Sequence, residues 1–318
     1  MQLSKVKSKL VGIYNYAIGL LPVKLANKLI WVDRQMDWSI SIYEGRDFLS
    51  LKPTAVVENP ILSRRDVTDV LASFVADPFM IRIGDEWLMF FEIFNHKQRK
   101  GELAFARSLD GYNWIYQQVI ISEKFHLSYP YVFKFESEWY LIPESCEANS
   151  VRLYKAKKFP DTWEFVTEIL VGQRFVDASI LNFNGLWWLF VGVEPSNGLA
   201  CNLLKLYYAD HLLSNWVEHP MSPIVSNNSE ISRPAGRMRK INNRPIRFTQ
   251  DCQVNYGYNV TAIAIESLTK DEYREAKIHP DGTYLFELAT MPCNRVGMHH
   301  IDFIMLNDDR CIACVDAR

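Results

Sequence analysis

The sequence predicts an all-β protein, a five-bladed β-propeller whose last blade is closed by strands from both termini. A twelve-residue segment ending in Trp occurs three times, at spacings of 49 and 53 residues, as Leu103 to Trp114, Arg152 to Trp163 and Lys205 to Trp216. Repeats of this length are typical of propeller blades. Between turn residues, the chain is rich in short runs of Val, Ile, Tyr, Phe and Trp, which favour antiparallel hairpins.

A second pattern, a short apolar strand followed by a turn and an aromatic strand, occurs four times. Its opening residues are Asp77, Tyr129, Asp177 and Arg233, and the aromatic strands begin at Glu86, Glu138, Leu186 and Arg244. Four strands per unit make one blade. The last copy is the weakest match, so four or six blades remain alternatives to five.

Strands near the two termini complete the predicted ring. His299 to Asp316 forms a strand pair without downstream partners, and Trp38 to Gly45, with the segment on to Leu62, has strand character upstream of the first full blade. A blade shared in this way leaves no open sheet edge. Residues 37–318 are therefore expected to form one propeller domain, with ample apolar material for a core because 48% of the residues are hydrophobic.

Residues 1–36 differ from the rest, with six basic residues against Asp33, a net charge of +5 in a chain of −2 overall. The uncharged run from Leu10 to Val23 has 14 residues, which is too short to span a bilayer. It lacks the small-residue cleavage site of a signal peptide. Two interpretations stay open for this short helical extension. One is a peripheral membrane contact through an interfacial helix on anionic lipid, and the other is packing against the ring or a partner.

The six cysteines include a Cys311–Cys314 pair in CxxC spacing. No second Cys or His pair lies at the spacing of a zinc site. Buried thiols in a reducing compartment are the better explanation, so no metal and no cofactor are expected. The expected location is cytoplasmic, at the inner membrane face if the extension binds lipid.

Candidate functional residues follow from propeller geometry, because the innermost strands line the central axis and their first residues converge at one mouth. The converging residues are expected to be Asp77, Tyr129, Asp177, Arg233 and one or both of His299 and His300. Asp is also a common turn residue. Its recurrence at equivalent blade positions favours a binding site for a polyhydroxylated or anionic ligand, with Tyr129 stacking on a sugar ring.

The ends of the aromatic strands provide a second set of polar residues, namely Glu92, Glu144, Gln250 and Asp251, with Glu194 near the equivalent place in the third blade. A register slip of one residue would turn any of them outward. Glu144, in the sequence LIPES, is the best candidate for a carboxylate aimed into the cleft. A solvated strand end is the alternative for Glu92 and the favoured interpretation for Glu194.

Four blocks of sequence carry a resemblance to a known family: VADPFMIRIGDEWLMFFE, FHLSYPYVFKFESEWYLIPES, FVDASILNFNGLWWLFVG and SRPAGRMRKINNRPIRFTQDC. Together they resemble the five-bladed domain at the N-terminus of plant glucosamine inositolphosphorylceramide transferases, which stands alone in bacterial proteins of surface-polysaccharide loci. The resemblance runs from about Trp38 onward. More distantly, the pattern is similar to the furanosidase propellers of family 43 glycoside hydrolases and their levansucrase and invertase relatives.

The resemblance to furanosidases implies roles for individual residues. Asp77 matches the general base or nucleophile, and Asp177 matches the Asp that orients its partners. Glycoside hydrolysis also needs a carboxylic acid to protonate the leaving oxygen. Where that acid is expected, the chain reads Ser232-Arg233-Pro234, so Glu230, two residues upstream, and Glu144 are the candidates.

Arg233 and Arg237 allow a different interpretation, since Arg binds phosphate or carboxylate in a bidentate manner. A sugar-phosphate, nucleotide sugar or acidic glycan would suit them, whereas an Arg buried against Asp177 is the alternative. His299 and His300 would add acid-base capacity near neutral pH. His96 and His126 are assigned structural or surface roles.

The sequence contains no GxGxxG, GxxxxGK[ST], GxSxG or HExxH motif, which excludes nucleotide-loop, nucleophile-elbow and zincin chemistry. Outside the extension the charge is acidic, so no nucleic-acid partner is expected. Two hypotheses remain. One is a glycosidase- or transglycosidase-like enzyme acting on a glycan or glycolipid in surface-polysaccharide metabolism. The other is a non-catalytic glycan-binding or scaffolding propeller that assists a glycosyltransferase partner.

Overall fold

The computed structural model describes residues 2–195, 201–290, 294–307 and 309–318, with the side chains of residues 2–8 and 34 outside that description. The strands form five separate sheets arranged as the blades of a propeller. The prediction of five blades is therefore confirmed, and the alternatives of four and six are wrong.

Strands are numbered in chain order. Blade 1 contains β3 (Ala72–Ile83), β4 (Glu86–Asn95), β5 (Lys100–Ser108) and β6 (Ile115–Ile121). Blade 2 contains β7 (Ser128–Phe135), β8 (Glu138–Glu144), β9 (Ser150–Lys158) and β10 (Thr162–Val171). Blade 3 contains β11 (Phe175–Phe183), β12 (Leu186–Val193), β13 (Leu203–Ala209), β14 (Val217–Glu218) and β15 (Val225–Ser226). Blade 4 contains β16 (Arg233–Pro234), β17 (Arg239–Ile241), β18 (Arg244–Asp251), β19 (Asn259–Leu268) and β20 (Tyr273–Lys277).

Blade 5 joins the two terminal parts of the chain, as predicted. It contains β1 (Ser39–Gly45), β2 (Lys52–Pro53), β21 (Ile301–Asn307) and β22 (Arg310–Ala317), in the order β2-β1-β22-β21. The antiparallel pairing of β1 with β22 runs from Ser39 opposite Ala317 to Gly45 opposite Cys311. The ring is thus closed by backbone hydrogen bonds between strands that are distant in sequence.

The repeated Trp of the sequence marks the turn between the third and fourth strands of a blade. The indole N–H groups of Trp114, Trp163 and Trp216 donate to carbonyl oxygens three or four residues earlier, at 2.9, 2.9 and 3.2 Å. A buried or partly buried indole usually finds such a partner. These residues are scaffold, and they explain why the repeat has the period of a blade.

The extension consists of α1 (Gln2–Ile18) and α2 (Val23–Leu29), followed by a 3₁₀ turn at Arg34–Met36. This confirms the predicted helical character, whereas the domain boundary at residue 36 stays a prediction. Asn27 fixes α2 to the chain before blade 1: its side-chain amide donates to the carbonyl oxygens of Val67 and Val70, at 3.0 and 2.8 Å, and accepts from the Ala72 N–H at 2.8 Å. None of the described helices combines the length and apolarity needed to cross a bilayer.

The CxxC pair lies in β22, where Cys311 and Cys314 are fully buried, as expected for a core strand. Burial raises the pKa of the Cys311 thiol to about 12. Cys146, Cys201 and Cys252 are also free thiols, and Cys293 lies outside the described residues.

Candidate functional site

Three inner strands share a bulge at the residue that opens the blade. Asp77, Tyr129 and Asp177 have φ angles of 53°, 48° and 51°. Each lies where the pairing between the inner strand and its neighbour shifts register. A left-handed conformation costs a non-glycine residue roughly 1–2 kcal/mol, and bulges of this kind re-aim side chains. The same local strain therefore recurs three times around the axis, at residues that the sequence pattern had singled out.

A cleft of about 230 Å³ opens where the inner strands begin. Its polar lining contains the carboxyl groups of Asp77, Glu92 and Glu144 and the basic side chains of His126, Arg233 and His299. Its apolar lining includes four aromatic rings, those of Trp38, Phe74, Phe94 and Tyr256. Charged groups that converge in a partly apolar cleft are typical of a ligand-binding or active site.

His299 bridges two buried aspartates in the cleft. Its Nδ1 lies 2.7 Å from Asp316 Oδ1, and its Nε2 lies 3.6 Å from Asp77 Oδ1. The ring stacks on Trp38 with a centroid distance of 4.1 Å. Burial opposes protonation of His299, but the charges of Asp316 and Asp77 outweigh it, so that its pKa is raised. The Asp316 carboxylate also accepts the Asp77 backbone N–H at 2.9 Å, and it holds both partners in place.

The carboxyl group of Asp77 has an unusual proton affinity for an aspartate. Burial raises the pKa of Asp77 to about 7; the charge of His299 opposes the shift, and the carboxylates of Asp316 and Asp177 add to it. Asp77 also accepts the Tyr129 backbone N–H at 3.2 Å. A carboxyl group that changes its charge near neutral pH inside a cleft is a candidate for acid-base chemistry.

Arg233 links two further carboxylates. Its Nε donates to Asp177 Oδ2 at 2.5 Å, and its Nη2 donates to Glu144 Oε2 at 3.0 Å. Gln250 donates to the same Asp177 oxygen at 3.0 Å. Burial raises the pKa of Asp177, although the guanidinium charge opposes the shift. The guanidinium is therefore already occupied by two carboxylates. This agrees with the alternative to anion binding given above, in which Arg233 is buried against Asp177.

Glu92 is the least satisfied of the cleft carboxyls. It is 4% exposed, and within the described part of the chain its Oε1 has no hydrogen-bond partner. Burial, reinforced by the carboxylates of Asp77 and Glu144, raises the pKa of Glu92 well above its usual range. His126 Nε2 lies 3.4 Å from Glu92 Oε1, while His126 Nδ1 accepts the Gly101 N–H at 2.9 Å. Glu92 thus combines a raised pKa with a buried oxygen that lacks a hydrogen-bond partner in the described part of the chain.

Two other axial residues lie beneath the cleft. The Tyr129 hydroxyl contacts Ser179 Oγ at 2.8 Å and donates to the Gly236 carbonyl oxygen at 2.9 Å, so its ring is packed within the ring of blades. His300 is fully buried against Phe79 and Tyr129. Burial lowers the pKa of His300 to about 4, so this imidazole is neutral at neutral pH.

The remaining predicted residues lie elsewhere. Glu230 is paired with Lys277 and Glu194 with Arg174. Arg237 is paired with Asp302 at 3.1 Å and donates to the Val132 carbonyl oxygen at 2.6 Å. Asp251 accepts the Tyr284 hydroxyl at 2.5 Å. None of these four lies among the described residues that line the cleft.

One group of side chains has the composition of a cation site. Asp77, His299 and Asp316 each offer a ligand atom within 4.8 Å of the others. The 2.7 Å contact between His299 and Asp316 accounts for two of these atoms as a hydrogen-bonded pair.

A protein-family comparison matches residues 31–318 to the N-terminal domain of glucosamine inositolphosphorylceramide transferase 1. The chain belongs to this family. It is 33% identical over 317 residues to glucosamine inositolphosphorylceramide transferase 1 of Oryza sativa subsp. japonica, covering 94% of this chain and 41% of the relative. The relative of the same name in Arabidopsis thaliana is 31% identical over 301 residues, covering 89% of this chain and 39% of the relative. The family member described here thus spans about two-fifths of the length of these relatives.

Solved structures of glycoside hydrolases share the fold of this family member. The catalytic domain of a GH62 α-L-arabinofuranosidase from Coprinopsis cinerea aligns with a TM-score of 0.58 at 12% identity, covering 89% of this chain and 97% of that one. A family 117 glycoside hydrolase from Zobellia galactanivorans aligns with a TM-score of 0.52 at 16% identity, covering 76% and 84%. At these identities the likeness concerns the fold.

Several cleft residues of this family member escaped the sequence analysis. His126 was assigned a structural or surface role, yet it lines the cleft beside Glu92. Trp38 and Tyr256 line the cleft as well. They lie in loops outside the strand repeats, so the blade period does not identify them. Asp316 is fully buried within the apolar run CIACVDA of β22. An acidic residue in an otherwise apolar strand was a signal that could have identified it.

Proposed function

We propose that this carbohydrate-related propeller protein binds the end of a glycan or glycolipid in its cleft and acts on it as a glycosidase- or transglycosidase-like enzyme of surface-polysaccharide metabolism. The observation that carries the proposal is the pair Asp77 and Glu92. Both carboxyl groups face one cleft, and both have raised pKa values because burial penalises their charged forms. Glycoside hydrolysis uses two carboxyl groups, one of which must carry a proton.

Glu92 is the proposed proton donor. Its raised pKa favours the protonated carboxyl group over the carboxylate, and the residue lines the cleft. Glu144, the carboxylate favoured by the sequence, accepts a hydrogen bond from Arg233 at 3.0 Å. A carboxylate bound to a guanidinium is a poor proton donor, since protonation would break a charge-assisted bond.

Asp77 is the proposed general base or nucleophile. A pKa of about 7 lets Asp77 change between the acid and the carboxylate near neutral pH, and the raised pKa of neighbouring His299 favours an imidazolium beside it. In the reaction, the Glu92 proton passes to the leaving oxygen as the glycosidic bond breaks. The Asp77 carboxylate either attacks the anomeric carbon or takes a proton from the attacking water or acceptor hydroxyl.

Sugar binding is assigned to the rest of the cleft. The rings of Trp38 and Tyr256 offer surfaces for stacking, and Glu144, held by Arg233, accepts hydrogen bonds from hydroxyl groups. Arg233 is paired with Asp177 and Glu144, and Arg237 lies outside the cleft paired with Asp302, so these two guanidinium groups are not available to a sugar phosphate. The free thiols in the described part of the chain support the further proposal of a cytoplasmic location.

The test is turnover of a panel of oligosaccharides and aryl glycosides by wild-type protein and by single variants. Asp77→Asn and Glu92→Gln should each lower kcat/KM by about 10²–10⁴-fold, the usual range for lost acid-base catalysis. Glu230→Gln is the matched control, since Glu230 pairs with Lys277 outside the cleft, and it should retain turnover. Equal losses in all three variants, or none in any, would refute the assignment.

A scaffolding or glycan-binding role without catalysis is the second candidate. It is favoured by Arg233, which stands where related hydrolases are expected to place an acid, and by the two-fifths coverage of the curated relatives. Such a protein would assist a glycosyltransferase partner. Ligand binding measured by thermal shift separates the two roles. A glycan that stabilises wild type and Asp77→Asn equally, without turnover by wild type, supports the scaffold.

A further inference from the structure

The extension presents an apolar surface that the propeller does not cover. We name Leu10, Ile13, Tyr14, Leu29 and Trp31 the extension patch; their exposed fractions are 62%, 60%, 46%, 43% and 46%. Residues 10, 13 and 14 share one face of α1 by helical spacing. Four of the five residues also line a groove of about 550 Å³ between α1 and the segment after α2. An apolar surface of this kind on a soluble domain marks an interaction site.

Basic residues outnumber acidic ones around the patch, although Asp33 and Asp66, close in sequence to Trp31 and Arg65, are exposed as well. No acidic residue precedes Asp33 in the sequence, whereas five lysines do, at positions 5, 7, 9, 24 and 28. Lys9, Lys24 and Lys28 are exposed, as is Arg65, and Lys28 and Arg65 line the groove itself. Apolar and aromatic residues flanked by lysine match the interface of a bilayer that contains anionic lipids. This excess of basic residues favours an anionic surface as the occupant of the patch.

The patch is held in a fixed position beside the cleft. Ala26 and Ile30 pack on Leu71, and the hydrogen bonds of Asn27 reach Ala72, the first residue of β3. Asp77 lies five residues further along β3, so an extended strand places it within roughly 17 Å of Ala72. After α2 the chain returns to the cleft, where Met36 and Trp38 form part of the lining.

We propose that the extension patch seats on the surface of an anionic bilayer and holds the cleft mouth close to the lipid headgroups. The protein would then bind the membrane peripherally, in agreement with the lack of a spanning helix among the described residues. This inference concerns a surface separate from the cleft and does not depend on the proposed reaction.

The test is flotation of the purified full chain with vesicles of phosphatidylcholine alone or with roughly 30% phosphatidylglycerol. Binding to the anionic vesicles should exceed binding to the neutral ones about tenfold at about 50 mM salt and weaken at about 500 mM salt. The double variant Leu10→Ser/Ile13→Ser should lose binding. Lys24→Glu/Lys28→Glu should lose the preference for anionic lipid.

Leu109→Ser/Ile115→Ser is the matched control, because both residues are highly exposed, at 84% and 69%, on blade 1 rather than on the extension. It should bind vesicles like wild type, and circular dichroism should show all variants folded. Absence of vesicle binding, or binding that the Leu10 and Ile13 substitutions leave intact, would overturn the proposal. A dimer seen in light scattering would also overturn the proposal if these substitutions abolished the dimer and wild type bound no vesicles. The patch would then bind a second copy of the chain.

Discussion

At the residue scale, the cleft concentrates carboxyl groups beyond what its cations neutralise. Asp77, Glu92, Glu144, Asp177 and Asp316 are all buried. Arg233 pairs with Glu144 and Asp177, His299 lies beside Asp77 and Asp316, and His126 lies beside Glu92. Removing one partner of a buried ion pair typically costs about 3–5 kcal/mol, so Arg233 stabilises the site as well as shaping it. Burial and the neighbouring carboxylates raise the pKa values of Asp77 and Glu92.

The same raised pKa values predict how stability depends on pH. A carboxyl group whose pKa is higher in the folded state binds more protons there than in the unfolded chain, so its stabilising contribution is complete below its unfolded pKa and is lost as pH rises through the folded value. Glu92 should therefore make the fold more stable at pH 5 than at pH 8. Glu92→Gln cannot ionise, so its melting temperature should exceed that of wild type by a few degrees at pH 8.

Thermal unfolding of both proteins between pH 5 and pH 8 measures this effect. The difference in melting temperature between Glu92→Gln and wild type should grow with pH. This direction distinguishes Glu92 from a group with a lowered pKa, such as His300, whose pKa burial lowers to about 4. Glu230→Gln serves as the control and should give a difference that is independent of pH. A constant difference for Glu92→Gln would mean that the carboxyl group is ionised throughout.

At the element scale, the inner strand of blade 4 is interrupted at Gly236, where β16 and β17 separate. Gly236 has a φ of 133° and exchanges hydrogen bonds with the Tyr129 hydroxyl, at 2.6 Å from its N–H and 2.9 Å to its carbonyl oxygen. A Cβ at this position would lie 1.8 Å from the Ile301 carbonyl oxygen. Blades 2, 4 and 5 therefore meet at a point that only glycine fits.

Gly236→Ala should lower the free energy of unfolding by about 3 kcal/mol or more, because a backbone clash adds to the conformational strain. Gly84→Ala is the control. Gly84 also has positive φ, at 61°, but a Cβ there meets nothing within 4 Å, so it should cost about 1 kcal/mol. Urea denaturation of the two variants measures the difference, and equal losses would show that the contact with Ile301 is relieved by movement of the strand.

At the scale of the whole molecule, β22 determines closure of the ring. It lies between β1 and β21 in blade 5, and it carries Asp316, which accepts hydrogen bonds from the Asp77 and His299 backbone N–H groups at 2.9 and 3.2 Å. The strand thus closes the fold and positions the cleft. The two roles are coupled because the closing blade supplies the hydrogen-bonding partner of Asp77.

Deletion of residues 310–318 should abolish cooperative unfolding, because it removes the pairing partner of two strands and leaves both edges open. Deletion of residues 2–18, which removes α1 alone, should retain the cooperative transition of the ring. Circular dichroism during heating compares the two deletions. A folded monomer without β22 would show that four blades and the remaining strands suffice for closure.

The sequence by itself determined the period of the blades and predicted the closure between terminal strands, because these depend on strand patterns and turns that repeat locally; it favoured five blades but left four and six open. It also identified Asp77, Asp177 and Arg233 as residues that open blades, since equivalent positions in a repeat occupy equivalent places in a ring. The tertiary structure decided which charges meet. Arg233 meets Asp177 and Glu144, His126 lies beside Glu92, and Asp316 supports Asp77 from the far end of the chain. These contacts join different blades at the axis, and burial there sets the proton affinities, which no local pattern encodes.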